Sequence, residues 1–216
     1  MNDMNDMHDM HMLRGNCFKL LAACFYEPDK ELFLQEGLCE NLAALLAACA
    51  CEEAARAAGL MREALAEQDD EALKVEYARL FVGPFELIAP PYGSVYLEKG
   101  RRLMGDSTLA VQKMYEEFDL SLAVKEVPDH IALELEFMHY LYMCEADAAA
   151  RAQSGEVARF AAARAGFMDR FLGPWVPNFC KDIKKGTDNR FYSLLADSLA
   201  GFVAGTATVQ PHHLPA

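Results

Sequence analysis

The chain has 216 residues, of which 53% are hydrophobic and 25% are charged, a composition typical of one globular domain. Lys and Arg total 20 against 33 Asp and Glu, giving a formal net charge of −13. This charge argues against nucleic acid as a partner, because a polyanion is bound mainly through Lys and Arg, and it favours a basic peptide instead.

The first twelve residues repeat a short polar unit, MNDMNDMHDMHM. This segment predicts a disordered tail over residues 1–12, although its methionines with His8 and His11 also suit a soft metal such as copper. It lacks the cationic patch and apolar run of a secretory signal. Nowhere do 18 apolar residues stand together, so we expect no membrane insertion and a cytoplasmic location.

Apolar residues then recur at helical spacing through residues 13–205. The first such pattern runs from Phe18 to Phe25 and ends at Pro28. We expect an all-α fold, a single compact multi-helix domain with about eight to ten helices. The predicted N-caps are Asp29, Asp69 or Asp70, Asp106 and Asp188. The predicted helix ends are Gly83-Pro84, Gly173-Pro174 and Gly186. Residues 206–216, with His212, His213 and two prolines, predict a flexible C-terminal tail.

Seven cysteines are present, an odd number without a CxxC pair. Most lie within apolar helical patterns and are therefore interpreted as reduced core residues. Cys49 and Cys51 form a CxC pair, the one hint of metal or redox chemistry, but no second pair or nearby histidine accompanies them. We expect no metal site and no cofactor.

One long connection, residues 83–105, combines three prolines and four glycines with apolar side chains. Its apolar members up to Tyr96 are Phe85, Leu87, Ile88, Tyr92, Val95 and Tyr96. A loop this apolar either packs on the helices or offers its side chains to a partner.

Residues 127–144, VPDHIALELEFMHYLYMC, are apolar around nearly the whole helix circumference and predict a buried central helix. Its polar residues include Glu136, which lies two positions after Glu134 on a different side of the helix; Asp129, His130 and Glu134 are the ones closest to the helix start. They either cap the helix and hold it to the preceding loop or mark a cleft, because burial without a partner is costly. His130 and Glu134 lack further metal ligands at helical spacing, and nucleophile-elbow, P-loop and HExxH motifs are absent, so we expect no catalytic residues and no enzyme.

Three blocks together resemble the TorD/DmsD family of molybdoenzyme maturation chaperones, to which NarJ is related. They are EYARLFVGP at 76–84, APPYGSVY at 89–96, and VPDH at 127–130 leading to ELEFM at 134–138. The resemblance spans about residues 13–205, and the order of the blocks matches as well as their residues.

The resemblance implies a cytoplasmic chaperone that binds the twin-arginine signal peptide and the apo catalytic subunit of a DMSO-reductase-like molybdoenzyme before cofactor insertion and export. The positions that it implicates in peptide recognition are Pro91, Tyr92, Ser94, Tyr96, Asp129 and His130, to which we add Leu80, Phe81, Glu134 and Phe137 on structural grounds. It is compatible with a monomer or with a homodimer that exchanges helices.

A twin-arginine leader needs acidic groups at one end of a groove and apolar side chains along the rest. We expect Asp129 and Glu134 to receive the arginines, and the aromatic residues to receive the apolar segment, these being Phe81, Tyr92, Tyr96 and Phe137. The alternatives are a NarJ-like assembly chaperone for a molybdoenzyme subunit that is not exported, and a metal- or nucleotide-binding accessory protein.

Overall fold

The structure, a computed structural model, describes residues 2–83, 87–123 and 126–207, without the side chains of residues 2–7 and 207. Eleven α-helices occupy these ranges: α1 Asn2–Ala23, α2 Lys30–Gln35, α3 Leu38–Ala48, α4 Glu52–Ala66, α5 Asp70–Tyr77, α6 Gly93–Leu97, α7 Asp106–Glu116, α8 Ile131–Ala150, α9 Ser154–Phe167, α10 Gly173–Gly186 and α11 Arg190–Ala207. No strand occurs in the described ranges. The prediction of an all-α fold is therefore confirmed.

The helices pack as a closed series of neighbours around one core. α8 lies between α1 and α9, α1 also packs on α3, and α3 continues through α4 and α11 to α10. The core is rich in aromatic side chains such as Phe18, Phe81 and Phe179, each almost wholly buried. The predicted central helix is α8, whose buried residues point in every direction around its axis. Among the described helices, none combines the length and the apolarity that crossing a bilayer requires.

Two of the predicted N-caps are confirmed. The carboxylate of Asp29 accepts a hydrogen bond from the Leu32 amide at 2.9 Å, and that of Asp69 accepts one from the Ala72 amide at 3.4 Å. Asp106 is instead the first residue of α7, where its charge still favours the positive helix end. At α11 the side chain of Asn189, rather than Asp188, accepts from the Phe191 amide at 3.0 Å.

The predicted helix end at Gly173-Pro174 is wrong. A π-helical segment, Met168–Leu172, joins α9 to α10, so helical backbone runs without a break from residue 154 to residue 186. Pro174 is the second residue of α10 and stands two residues after the π-helical segment, a wider turn in which the usual bonding from residue i to residue i−4 is already interrupted. The ends predicted at Gly83 and Gly186 agree with the structure.

The N-terminal segment differs from the predicted tail. α1 begins at Asn2, and the side chains of His8 and His11 in this segment contact α8. Nδ1 of His8 lies 3.2 Å from the Ala146 carbonyl oxygen, and Nδ1 of His11 lies 3.7 Å from a carboxylate oxygen of Glu145. These tertiary contacts stabilise a helix that the spacing of the repeat does not predict. At the other end α11 continues to Ala207, and residues 208–216, with His212 and His213, lie outside the described residues.

Candidate functional site

The proline-rich connection packs onto the helices instead of standing away from them. The Ala89 amide donates to the Leu80 carbonyl oxygen at 3.1 Å, and Ala89, Pro90 and Pro91 are buried. Short helix α6 follows and packs against α10 and α7. Phe85, one of the apolar loop residues, lies outside the described residues. Most of the described part of this loop therefore packs on the helices and does not offer its side chains to a partner.

The connection meets the start of α8, so two of the sequence blocks, 89–96 and 127–130, are in contact. Tyr92 and His130 form an isolated antiparallel bridge. In it, the Gly93 amide donates to the Asp129 carbonyl oxygen at 2.9 Å and the Ile131 amide donates to the Pro91 carbonyl oxygen at 2.8 Å. The rings of Tyr92 and His130 lie 5.4 Å apart, edge to face. Residues separated by more than thirty positions in the chain are thereby held in contact.

Asp129 and His130 have the capping and anchoring roles that their positions at the helix start suggested. Nδ1 of His130 accepts a hydrogen bond from the Ala132 amide at 3.2 Å, which caps α8. A carboxylate oxygen of Asp129 accepts from the Ser94 amide at 2.5 Å. Burial lowers the pKa of His130, while the charges of Glu126 and Asp129 oppose that shift, so the imidazole is held in the neutral form that can accept at Nδ1.

Glu134 is fully buried one turn into α8. One of its carboxylate oxygens accepts a hydrogen bond from the indole Nε1 of Trp175 at 3.0 Å, and the other has no partner among the described residues. Burial raises the pKa of Glu134 well above its ordinary value; the indole bond opposes this shift and the nearby Asp129 charge adds to it. This environment therefore favours the protonated form of the carboxyl group over the carboxylate.

The structure changes the predicted roles of several site residues. Leu80, Phe81 and Phe137 belong to the hydrophobic core, and Pro91 and Ser94 are buried beside it. Asp129 and Glu134 are 1% and 0% exposed, so neither presents a carboxylate to an arginine in this conformation. Helical spacing does not reveal that Trp175 of α10 and Gly93 of α6 lie against Glu134.

Tyr92 and Tyr96 are the members of the predicted set that retain partial exposure. Tyr96 stacks on Trp175 with ring centroids 5.6 Å apart, and the guanidinium of Arg101 lies 5.2 Å from the Tyr96 ring centre. Arg101 is itself paired with Asp182 at 3.4 Å. The Tyr96 ring therefore already has its partners within the chain, although its buried hydroxyl has no hydrogen-bond partner among the described residues. Tyr92 remains as the other partly exposed aromatic residue of the predicted site.

Tyr92 belongs to a surface that the sequence did not reveal. We call it the tyrosine–glutamate surface, and it is formed by Tyr26, Tyr77, Tyr92, Glu126 and Glu136. The Tyr26 hydroxyl donates to a Glu136 carboxylate oxygen at 2.8 Å, and the Tyr92 hydroxyl donates to one of Glu126 at 3.4 Å. Tyr26 is 41% exposed and Glu136 is exposed as well.

The charge of Glu126 acts on all three tyrosines of this surface. Burial first, and then the negative charge of Glu126, raise the pKa of Tyr77 and of Tyr92 to about 12. The pKa of Tyr26 is raised by burial and by its hydrogen bond to Glu136, with a further contribution from Glu126. Among the ion pairs between described residues, none includes Glu126 or Glu136.

The sequence held a weak signal for this surface. Glu126 directly precedes the VPDH block, Tyr77 lies within the EYARLF block, and Glu136 lies within ELEFM. Tyr26 follows the end of α1, however, and its contact with Glu136 spans 110 residues of chain. Without tertiary contacts, the sequence gives no reason to group these residues into one surface.

Two adjoining surface grooves lie elsewhere, between α7 and the α9–α10 region. Their cavity volumes are about 500 and 420 Å³, and Met114, Glu117 and Arg170 line both. None of the predicted site residues lines either groove.

Gly93 offers a direct test of how tightly the loop is packed over Glu134. A Cβ at Gly93 would stand 3.1 Å from Nε1 of Trp175 and 3.2 Å from a Glu134 carboxylate oxygen. We expect Gly93→Ala to lower the free energy of unfolding by about 1–3 kcal/mol in urea titrations, because two buried side chains must shift. The matched Gly166→Ala, within α9 and with nothing within 4 Å, should be neutral or stabilising. Equal effects would show that the site is loosely packed.

Comparison with known proteins identifies a family and several relatives. Residues 29–181 match the family model described as "Nitrate reductase delta subunit". The Tat proofreading chaperone DmsD of Salmonella typhi is 40% identical over 63 residues, 28% of this chain and 31% of that protein. The chaperone protein TorD of Aliivibrio salmonicida is 26% identical over 133 residues, 61% of this chain and 60% of that protein. The chain thus spans less than two thirds of the length of these relatives.

Two further matches agree with these. The selenate reductase assembly chaperone protein of Thauera selenatis is 35% identical over 81 residues, 37% of this chain and 40% of that protein. A crystal structure from Archaeoglobus fulgidus, described as that of a redox enzyme maturation protein, superposes with a TM-score of 0.55 at 25% identity, covering 88% of this chain and 93% of that one.

Proposed function

The chain belongs to the nitrate reductase delta subunit family, that of the TorD and DmsD chaperones, and from this premise we propose that it is a redox-enzyme maturation chaperone. Its client in this proposal is a DMSO-reductase-like molybdoenzyme, whose twin-arginine signal peptide and apo catalytic subunit it binds in the cytoplasm before cofactor insertion and export.

The observation that carries the peptide-binding proposal is the tyrosine–glutamate surface. It places two carboxylates without a cationic partner among the described residues beside three partly exposed tyrosines. An arginine guanidinium donates paired hydrogen bonds to a carboxylate and also stacks on an aromatic face. Adjacent arginines followed by an apolar segment match this combination of groups.

The position of this surface relates it to the residues that the family resemblance implicates. Tyr92 contacts His130 through its ring and Glu126 through its hydroxyl. In the proposal, Asp129 and His130 act from below, by fixing the backbone of Tyr92, Gly93 and Ser94, while Glu126 and Glu136 face the peptide. This assignment replaces direct contact between Asp129 and an arginine.

The net charge of −13 supports the same partner. A cationic leader peptide is attracted over a Debye length, which raises its encounter rate with an acidic protein. The attraction by itself is not selective for adjacent arginines. Selectivity in the proposal comes from the placement of Glu126 and Glu136 beside the tyrosine rings.

Isothermal titration with a synthetic leader peptide, in which two adjacent arginines precede an apolar segment, tests the proposal. We expect Glu126→Gln to weaken binding by roughly tenfold or more, because a charge-assisted hydrogen bond contributes about 1.5–3 kcal/mol. Glutamine keeps an acceptor for the Tyr92 hydroxyl, so the surface itself stays intact. A peptide with lysines in place of both arginines should also bind more weakly.

Glu53→Gln is the matched control, because it removes one exposed charge from α4, which packs on α3 and α11. It should change affinity less than about twofold, through net charge alone. Equal losses in the two variants would refute recognition at Glu126, leaving only general attraction of a basic peptide.

A second candidate is a NarJ-like assembly chaperone for a molybdoenzyme subunit that is not exported. The description of the matching family model, a nitrate reductase delta subunit, favours it. Capture of the client from cells on the tagged chain, followed by mass spectrometry, distinguishes the two. A captured precursor that carries a twin-arginine leader supports the first proposal, and a subunit without one supports the second.

A further inference from the structure

The end of the proline-rich connection, between α6 and α7, carries two adjacent arginines followed by apolar residues. Residues 99–104, KGRRLM, are all exposed, whereas residues 87–98 of the same connection are buried or half-buried. We call residues 99–104 the arginine loop. Leu103 is 50% exposed, and Met104, at 68%, is the most exposed large apolar residue of the described ranges. The loop thus presents a pair of cations beside a pair of apolar side chains.

The arginine loop is anchored at both ends. Arg101 and Met104 have φ angles of 52° and 61°, in the left-handed region that residues with a Cβ seldom occupy. The Met104 amide donates to Oγ of Ser94 at 3.3 Å, and a carboxylate oxygen of Glu98 accepts from the Ser107 amide at 2.8 Å. These bonds tie the loop to α6 and α7, so a partner that binds it has little further ordering to impose.

Within its own chain the arginine loop lies beside α10. Arg101 lies 3.4 Å from a carboxylate oxygen of Asp182 in α10, and both side chains keep contact with solvent. Arg102 takes part in none of the ion pairs between described residues. Neither arginine pairs with a carboxylate of the tyrosine–glutamate surface of the same chain. A second copy of the chain is therefore the molecule that can bring this loop to that surface.

We propose that the arginine loop of one copy docks on the tyrosine–glutamate surface of a second copy, so that the free protein masks its own peptide site until a leader displaces the loop. The inference rests on the proposed function of that surface. Its support is complementarity, because a guanidinium pairs with a carboxylate and stacks on a tyrosine ring, and both groups are present there. Leu103 and Met104 follow the arginines as the apolar segment follows them in a leader.

The contact between copies is weaker than the contact with a leader. Each copy carries both the loop and the surface, so two copies can bind each other reciprocally. The loop offers only two apolar residues, however, so a leader with a longer apolar segment buries more apolar area and displaces it. Repulsion between two chains of net charge −13 weakens the contact further. Self-association is therefore reversible and is outcompeted by the client.

Titration of a synthetic peptide with residues 97–106, LEKGRRLMGD, into the dilute full chain measures this contact without a client. We expect the peptide to bind wild type, and Glu126→Gln to weaken its binding by roughly tenfold, because a charge-assisted hydrogen bond is lost. Glu53→Gln should bind it as wild type does. A peptide with glutamine in place of both arginines should not bind.

The same titration separates this inference from the proposed function. A leader peptide that binds while the loop peptide does not would refute the inference and leave the proposed function standing. If neither peptide binds, both are wrong.

Sedimentation velocity over a range of chain concentrations tests the contact between whole copies. We expect wild type to associate as its concentration rises, and the leader peptide to reverse the association. The double variant Arg101→Gln/Arg102→Gln should stay monomeric while it binds the leader at least as tightly as wild type does. Circular dichroism verifies that the variant is folded.

Arg56→Gln/Arg62→Gln is the matched control, because it removes two exposed arginines from α4 and changes the net charge equally. This variant should associate as wild type does. A wild type that stays monomeric at every concentration would overturn the inference. Association that survives the loss of Arg101 and Arg102, or that the bound leader peptide does not reverse, would overturn it too.

Discussion

Replacement of Arg164 by methionine is expected to lower the free energy of unfolding by about 3–5 kcal/mol, because the change leaves a buried carboxylate without its cation. Arg164 in α9 donates to both carboxylate oxygens of Glu145 in α8, at 2.8 and 3.4 Å. Its guanidinium also lies 4.5 Å from the Tyr142 ring centre. The Glu145 side chain is only 4% exposed, so water cannot replace the lost partner.

Arg159 provides the matched control on the same helix. It too pairs with a carboxylate, Glu156 at 3.4 Å, and lies over an aromatic ring, that of Phe118 at 4.6 Å, but its side chain is 50% exposed. Arg159→Met should cost less than about 1 kcal/mol in the same urea titration. Similar losses for the two variants would mean that the Arg164 pair is as well solvated as a surface pair.

The second large effect concerns Glu134 and depends on pH. Its raised pKa in the folded protein means that the folded state holds a proton which the unfolded chain releases above pH 4.5 or so. The stability from this carboxyl group is fully present below that pH and is lost as the pH rises toward the raised pKa. Glu134→Gln cannot ionise, so we expect the variant to escape this loss, which amounts to about 1.4 kcal/mol for each tenfold difference in proton affinity between the folded and unfolded states.

Urea titrations of wild type and Glu134→Gln at pH 5 and pH 8 measure this difference. The lowered pKa values of His11, His130 and His139 make both proteins less stable as the pH falls, which is the opposite of the Glu134 effect. Both proteins retain these histidines and Asp129, so their contributions cancel in the comparison. Glu136→Gln, an exposed change two residues along α8, should follow wild type. An identical pH dependence for Glu134→Gln and wild type would show that Glu134 is ionised when folded.

The Gly93, Glu134 and Trp175 contacts together explain why the site departs from its predicted form. Burial of Asp129 and Glu134 makes them supports for the loop, through the Ser94 amide and the Trp175 indole. The acidic groups that face outward are Glu126 and Glu136, whose neighbours Tyr26, Tyr77 and Tyr92 come from separate parts of the chain. Recognition of arginines is therefore proposed at the rim of the predicted site.

Several features followed from the sequence by itself because they depend on local physics. Helical periodicity, the caps at Asp29 and Asp69, the burial of α8 and the capping role of His130 are decided by residues within a turn or two. The family resemblance implicated both Tyr92 and His130, and the structure joins these two residues in a bridge.

Other features depend on contacts between distant residues, which one sequence does not encode in any local pattern. The N-terminal repeat is helical because His8 and His11 reach α8, and helical backbone continues past Gly173 because a π-helical segment precedes Pro174. Glu134 is buried because Trp175 of α10 and Gly93 of α6 lie against it, whereas Glu136 of the same helix is exposed. Spacing places a side chain on a face of its helix, but only the neighbouring elements determine whether that face meets water.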